Sequence, residues 1–253
     1  MLSTEIGLNR HVWDLRYPSM KRFDDLIMWG DMKAGPRAVP GRYRVRLKVG
    51  DMTQEAEFDV HQDPRSHSTS ADYQAQFAFV METRDLLSRT HTEIKRIRVM
   101  REQLQGLQTR LISTATLTAE DSHLDETITT LLDAMTAVEE ALYQTKNESQ
   151  QDPLNDPIRL NDKLSSLMRG VSAGDAKPTD QAHAVKAELT TAVKAELTTA
   201  IKARLDDLTV LWTKDLPALQ VQVNTLGLSL LVLPELDAAP SQLQTQNSKH
   251  TRN

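Results

Sequence analysis

"GRYRVRLKV" (Gly41–Val49) and, directly after it, "GDMTQEAEFDV" (Gly50–Val60) alternate with period two on either side of a turn. Tyr43, Val45, Leu47 and Val49 alternate with Arg42, Arg44, Arg46 and Lys48, and Ala56, Phe58 and Val60 alternate with Glu55, Glu57 and Asp59. Period two sends successive side chains to opposite faces of a strand, so each run has one apolar and one charged face. With "GDMT" as the turn, the two runs read as an antiparallel hairpin. Basic residues on the first strand then face acidic residues on the second, a favourable cross-strand arrangement. The arginines also admit a second reading, as a binding face for an anionic ligand. A solvated face is the simpler one, because exposed charges on strands are usual.

Toward the N-terminus, "GLNRHVWDLRYP" (Gly7–Pro18) carries Val12, Trp13 and Leu15, which read as a strand with a large core aromatic. Residues near Leu26–Trp29 read as another short strand. Three or four strands form a sheet too small to cover its own apolar face, and an immunoglobulin-like sandwich uses about seven. Residues 1–66 are therefore expected to form the C-terminal strands of a partial immunoglobulin- or fibronectin-like β-sandwich. The aromatics support a β-rich first third: of the chain's eleven, only Tyr143 and Trp212 lie beyond Phe79.

From Ser70 onward the period changes. The proline-free stretch to about Leu111 reads as one long helix with Thr69 and Asp72 as a capping box. Val80, Leu87 and Ile94 recur every seventh residue, as do Ile97, Leu104 and Leu111, which makes an amphipathic, coiled-coil-like stripe. "TATLTAE" interrupts it. Leu124, Ile128, Leu131, Met135, Val138 and Leu142 mark a second helix, and helices joined by a short loop pack antiparallel. After the polar connection "KNESQQDPLNDP", Leu160, Leu164, Leu167 and Val171 mark a third, shorter helix. Pro178 suits the first turn of a fourth. That fourth helix contains the unit AVKAELTT twice in succession, at Ala184–Thr199. Eight residues advance a helix by about 800°, so its apolar positions drift by about 80° per unit. Past Pro217 the helical signal weakens, and "SLLVLPEL" reads as a docked extended segment. The expected fold class is thus α+β: the partial sandwich, an antiparallel bundle of about four long helices over residues 67–236, and a disordered tail at 237–253.

Composition limits the functional classes. The chain has 253 residues, a formal net charge of -5 and no cysteine. An acidic balance speaks against a general nucleic-acid binder. Disulfides, thiolate metal sites and cysteine nucleophiles are excluded. No apolar run approaches the roughly 18–20 residues of a membrane span, and Met1–Asn9 does not resemble a secretory signal. As written, the chain reads as unexported and cytoplasmic.

Candidate chemistry is sparse. Asp14, Asp24 and Asp25 near Trp13 and Trp29 form an aromatic-and-acid grouping of the sort that binds sugars, yet the two tryptophans are more simply sandwich core. Adjacent Asp24 and Asp25 point apart on a strand and form no dyad. His61 and His67 flank "QDPRS" close to Asp59 and Asp63 without a zinc-type spacing. No P-loop, G-x-S-x-G or G-x-G-x-x-G occurs. On the long helix, Lys95, Arg98 and Arg101 share one region; they either grip an anion or face an acidic residue of a neighbouring helix. Asn147 opens an N-x-S glycosylation pattern, a motif common by chance. No catalytic, cofactor or metal residue is assigned, and Trp13, Trp29, Lys95, Arg98 and Arg101 stand as the candidate interaction surface.

"GLNRHVWDLRYP", "GPRAVPGRYRVRLKV", "QDPR", "LYQTKNESQQDPLNDPIRLNDKL" and "DAKPTDQ" occur in that order. This series resembles the C-terminal region of bacterial sortilin-type β-propeller proteins with BNR (Asp-box) repeats, often labelled glycosyl hydrolase-like. The resemblance covers Gly7 to about Pro217, with the stretch around Tyr143–Lys163 its most specific piece. It implies that a propeller and the first sandwich strands lie upstream, that Trp13 packs against those strands, and that the full-length protein is exported. Any glycosidase activity would then belong to the propeller. Three functions follow as expectations. The first is a non-catalytic accessory module that docks the propeller, which predicts exposed apolar surface on the N-terminal sheet. The second is a stand-alone protein that self-associates or binds partners through its helices or paired half-sandwiches. The third is a hydrolase.

Overall fold

Thr69 and Asp72 start the longest element of the protein. In the computed structural model, which describes residues 6–113, 119–180 and 211–225, the Thr69 N–H donates to Asp72 Oδ2 at 2.7 Å and the Asp72 N–H returns to Thr69 Oγ1 at 3.2 Å. This reciprocal cap satisfies two otherwise orphaned donors, and the Thr69 hydroxyl holds the Asp72 carboxyl below its ordinary range. Helix α1 then runs from Ser70 to Ser113. At 1.5 Å per residue it is about 66 Å long.

The heptad stripe is the core of the fold. Val80, Leu87, Ile94, Ile97 and Leu104 are all buried. Helix α2 (Ala119–Leu142) buries Ile128, Leu131, Met135, Val138 and Leu142 in the same cluster. Leu111 and Leu124 lie outside the described side chains. Gln108 donates to Asp125 at 2.8 Å, and Arg98 to Glu139 at 2.8 Å. Rising numbers on one helix meet falling numbers on the other, so α1 and α2 are antiparallel. Helix α3 (Leu160–Val171) is also antiparallel to α1: Asn161 reaches His91, and Gln76 reaches the Val171 carbonyl. Thus α2 covers the C-terminal half of α1 and α3 the N-terminal half. A π-helical turn (Leu211–Asp215) leads into α4 (Leu216–Thr225), which buries Leu216, Leu219 and Val223 against the same core. Pro178, expected in the first turn of a fourth helix, is not helical; the AVKAELTT repeat, the extended segment at Ser229–Leu236 and the tail lie outside the described residues.

The fold class is mixed α+β, and the hairpin is present with its basic residues opposite acidic ones, although Met52 and Thr53 of the expected turn belong to its second strand. Strand β1 (Gly41–Val49) pairs antiparallel with β2 (Met52–Val60), with Arg42 opposite Asp59, Arg44 opposite Glu57 and Arg46 opposite Glu55. Gly50, at φ 58, opens the two-residue turn, a position where only glycine is unstrained.

Among the described residues the sheet has two strands, not the three or four expected. Two local causes prevent the others. Leu15 sits at φ 58, and the Asp14 carboxylate accepts the Arg16 N–H at 3.0 Å, an Asx turn that breaks any extended run through Trp13. A single bridge, Arg16 to Arg37, is all that forms. Around Leu26–Trp29 the chain turns at Asp24–Asp25, with Asp25 at φ 60, and again at Trp29–Gly30. Here the backbone donors go to side chains of the helices rather than to a ladder.

Candidate interaction surface

The hairpin stands out from the helices with both faces wet. Its charged face carries the ion pairs Arg42–Asp59, Arg44–Glu57 and Arg46–Glu55, all between largely exposed side chains. Its other face is apolar and open: Val45 is 54% exposed, Leu47 49%, Val49 59% and Met52 72%. Four neighbouring apolar residues at about half exposure or more make a contiguous patch, the kind that marks an interaction site. A two-stranded sheet has no second layer of its own to cover it.

Only the base of this face is covered, and Trp13 covers it. Its ring lies 5.3 Å from that of Tyr43 and edge-on to Phe58 at 6.1 Å, while Tyr43 stacks on Phe58 at 6.0 Å. The indole N–H donates to the Arg16 carbonyl at 2.9 Å, and the Tyr43 hydroxyl to the Val39 carbonyl at 2.6 Å. Burial raises the Tyr43 phenol above its ordinary pKa. Trp13 therefore anchors the N-terminal segment to the hairpin, although no β-ladder joins them. Below this anchor is a cleft of about 490 Å³ between hairpin and helices. Tyr73, Phe77 and Val80 of α1 wall one side, and Arg37 and Asp175, paired at 3.1 Å, lie on its rim.

Trp29 does not belong to a sandwich core. Its side chain is 45% exposed, and its role is carried by its backbone. The N–H groups of Trp29 and Gly30 donate to the two oxygens of buried Asp162, at 2.6 and 2.7 Å. Ser165 Oγ donates to the Gly30 carbonyl at 2.7 Å. A Cβ on Gly30 would overlap Ser166 and Asp162, so only glycine allows this approach to α3. Next to it, His91 Nδ1 binds the Lys21 carbonyl at 2.7 Å, which makes Nδ1 the protonated nitrogen, and Asn161 Nδ2 faces Nε2 at 3.3 Å. Burial pushes His91 down to about 4. Met20, Phe23 and Met28 of the same N-terminal segment are buried in the helical core. Residues 20–30 are thus strapped to the helices.

The basic group on α1 separates into two parts. Arg98 and Arg101 both face Glu139 of α2, which is 2% exposed at its side chain. Arg98 Nε donates to Oε1 at 2.8 Å; Arg101 Nη1 lies 2.6 Å from Oε2 as a charge contact without hydrogen-bond alignment. The Arg98 guanidinium also sits 4.6 Å over the Phe23 ring, a cation–π contact, and Phe23 meets Tyr143 edge-on at 5.1 Å. Lys95 is exposed and stands apart. The two arginines are internal ties between α1, α2 and the strap, as the neighbouring-helix reading expects.

The residues that sequence reasoning did not single out are Asp162, Asn161, His91, Ser165 and Glu139. Several fall in or beside the stretch "LYQTKNESQQDPLNDPIRLNDKL", which structure explains as a run of polar ties, buried at Asn161 and Asp162 and exposed at Asp152. Gln144 donates to the Pro157 carbonyl at 2.9 Å, and Asp152 accepts the N–H groups of Glu148 and Ser149, each at 2.7 Å. Tyr143 Oη accepts the Ile27 N–H at 3.3 Å. Polar residues at such density around a helix start are the signal that was there to be read. Among the described residues no group of three or more His, Asp or Glu is placed to hold a metal ion. No described helix is long and apolar enough to cross a membrane. Comparison with protein-family models, with curated proteins and with solved structures found no match.

Proposed function

We propose that this chain is a non-catalytic structural and interaction module, the C-terminal accessory region of a larger sortilin-type, glycosyl hydrolase-like β-propeller protein. In this reading upstream strands complete an immunoglobulin- or fibronectin-like sandwich on the hairpin, and any glycosidase activity resides in the propeller. The observation that carries it is the open apolar face of Val45, Leu47, Val49 and Met52, which an accessory module with its partner strands on another segment would leave exposed. The ordered motifs that resemble this region of such proteins support it from the sequence side.

The test is the size of the native polypeptide in source cells, detected with an antibody against the helical half. A band several times larger than 28.5 kDa is expected. A band at 28.5 kDa would sink the proposal. The same open face also favours a second reading, a stand-alone chain that pairs face to face with a copy of itself. Light scattering on the purified chain separates the two: a concentration-dependent dimer supports self-association, and a monomer at high concentration removes it.

A further inference from the structure

Among the described residues the hairpin has two unpaired edges as well as an open face, and the register fixes which residues own each edge. Val49 and Met52 close the two-residue turn and are therefore a hydrogen-bonded pair. Hydrogen-bonded and non-bonded pairs alternate along an antiparallel ladder. Tyr43, Val45 and Leu47 thus aim their N–H and C=O groups inward at β2. Arg42, Arg44, Arg46 and Lys48 aim theirs outward, along the free edge of β1. A strand added there places a residue directly opposite each of these four cations, on the same face of the sheet.

That face carries four cations against three carboxylates, because Lys48 lies opposite Thr53. We infer that the free edge of β1 accepts a partner strand in which apolar residues alternate with aspartate or glutamate. Apolar residues extend the Tyr43–Val49 face, and each carboxylate gives a basic residue of β1 a second acidic neighbour. The same register disfavours the two symmetric edge dimers. Pairing β1 with β1 sets cations opposite cations, and β2 with β2 sets carboxylates opposite carboxylates. Pairing β1 with β2 of another copy is head to tail and does not close into a dimer. A strand of different sequence is the occupant that satisfies both the edge and its charges. This inference rests on the proposal that partner strands complete the hairpin, and it adds their chemistry.

The test uses the full chain and three peptides of the length of β1, nine residues. Each alternates valine with glutamate, lysine or threonine. A variant exchanges the charges: Arg42→Glu, Arg44→Glu, Arg46→Glu and Lys48→Glu with Glu55→Arg, Glu57→Arg and Asp59→Arg. It keeps the cross-strand ion pairs, and circular dichroism checks its fold. The wild type is expected to bind the glutamate peptide at least about tenfold more tightly than the lysine peptide, and the exchanged variant to reverse that order. Hydrogen exchange should slow at the Arg44 and Arg46 amides, not at those of Glu55 and Glu57. If the exchanged variant misfolds, the salt dependence of wild-type binding decides: affinity for the glutamate peptide should fall with added salt while that for the threonine peptide holds. Equal binding of all three peptides would overturn the charge recognition and leave the sandwich proposal standing. No binding of any peptide would overturn both. Protection of the β2 amides, or a closed dimer with the β1 amides already protected, would overturn the inference as well.

Discussion

The hairpin and the α3 junction handle polar and apolar groups in opposite ways. In the hairpin, charges pair in solvent while Val45, Leu47 and Val49 remain half exposed. At the junction, Asn161, Asp162 and Ser165 are buried, and each has partners. Exposed ion pairs contribute about 0–1 kcal/mol each, whereas breaking a buried charge-assisted tie leaves donors without water or partner. The junction therefore holds the molecule together, and the hairpin is spare surface. One region buries its polar groups with partners; the other leaves an apolar face exposed.

The comparison breaks first at Asp162. Replacing it, Asp162→Ala, strands the part-buried Trp29 and buried Gly30 N–H groups and should lower stability by about 3–4 kcal/mol in urea unfolding. A loss under about 1 kcal/mol would mean the strap is not a structural tie.

Acid should open the same junction. His91 is held neutral, with Nδ1–H on a carbonyl and Nε2 facing the Asn161 amide, so a second proton has no acceptor. Its folded pKa of about 4 lies below the ordinary 6.5. Between these values the unfolded chain binds the extra proton and the folded chain does not. Stability is therefore complete above pH 6.5, falls as pH drops toward 4, and loses roughly 3 kcal/mol from this group in all. Urea midpoints across that range, compared with His91→Gln, isolate the contribution; a variant with the same slope as wild type would refute it.

Glu139→Ala is expected to have a smaller effect, about 1–2 kcal/mol, because Arg98 and Arg101 are partly exposed and regain water. Restoring the lost stability with Glu139→Gln would show that hydrogen bonding, not charge, is what matters there. The smallest effect should come from the hairpin. Val45→Thr with Leu47→Thr should change stability by less than about 0.5 kcal/mol, yet reduce binding of a hydrophobic dye. A large loss of stability would mean that this face is already covered in solution.

The two regions also differ in legibility. The hairpin could be read because period two is local and its turn glycine unambiguous. The heptads of α1 and α2 could be read for the same reason. Trp13 and Leu26–Trp29 have strand composition, yet the expected third and fourth strands do not form, because Leu15 and Asp25 adopt left-handed backbone that no periodicity reveals. Helix α4 is hidden in the sequence because Pro217 reads as a boundary. It occupies the first turn, where proline is tolerated, and Leu216, Leu219 and Val223 follow at helical spacing. The polar density around the start of α3 marks Asp162 as unusual, but nothing local names its partners or those of His91, which are backbone groups far away in sequence, at Trp29, Gly30 and Lys21.

The sequence by itself determined the hairpin, the α1 cap and the apolar stripes of α1, α2 and α3, since each follows from the spacing of neighbours along one element. Tertiary structure alone decided that residues 20–30 strap onto the helices, that Glu139 is the residue Arg98 and Arg101 meet, and that Trp13 covers the base of the hairpin's apolar face. Those outcomes depend on which distant groups meet once the helices pack, and a chain position does not encode its partner's address.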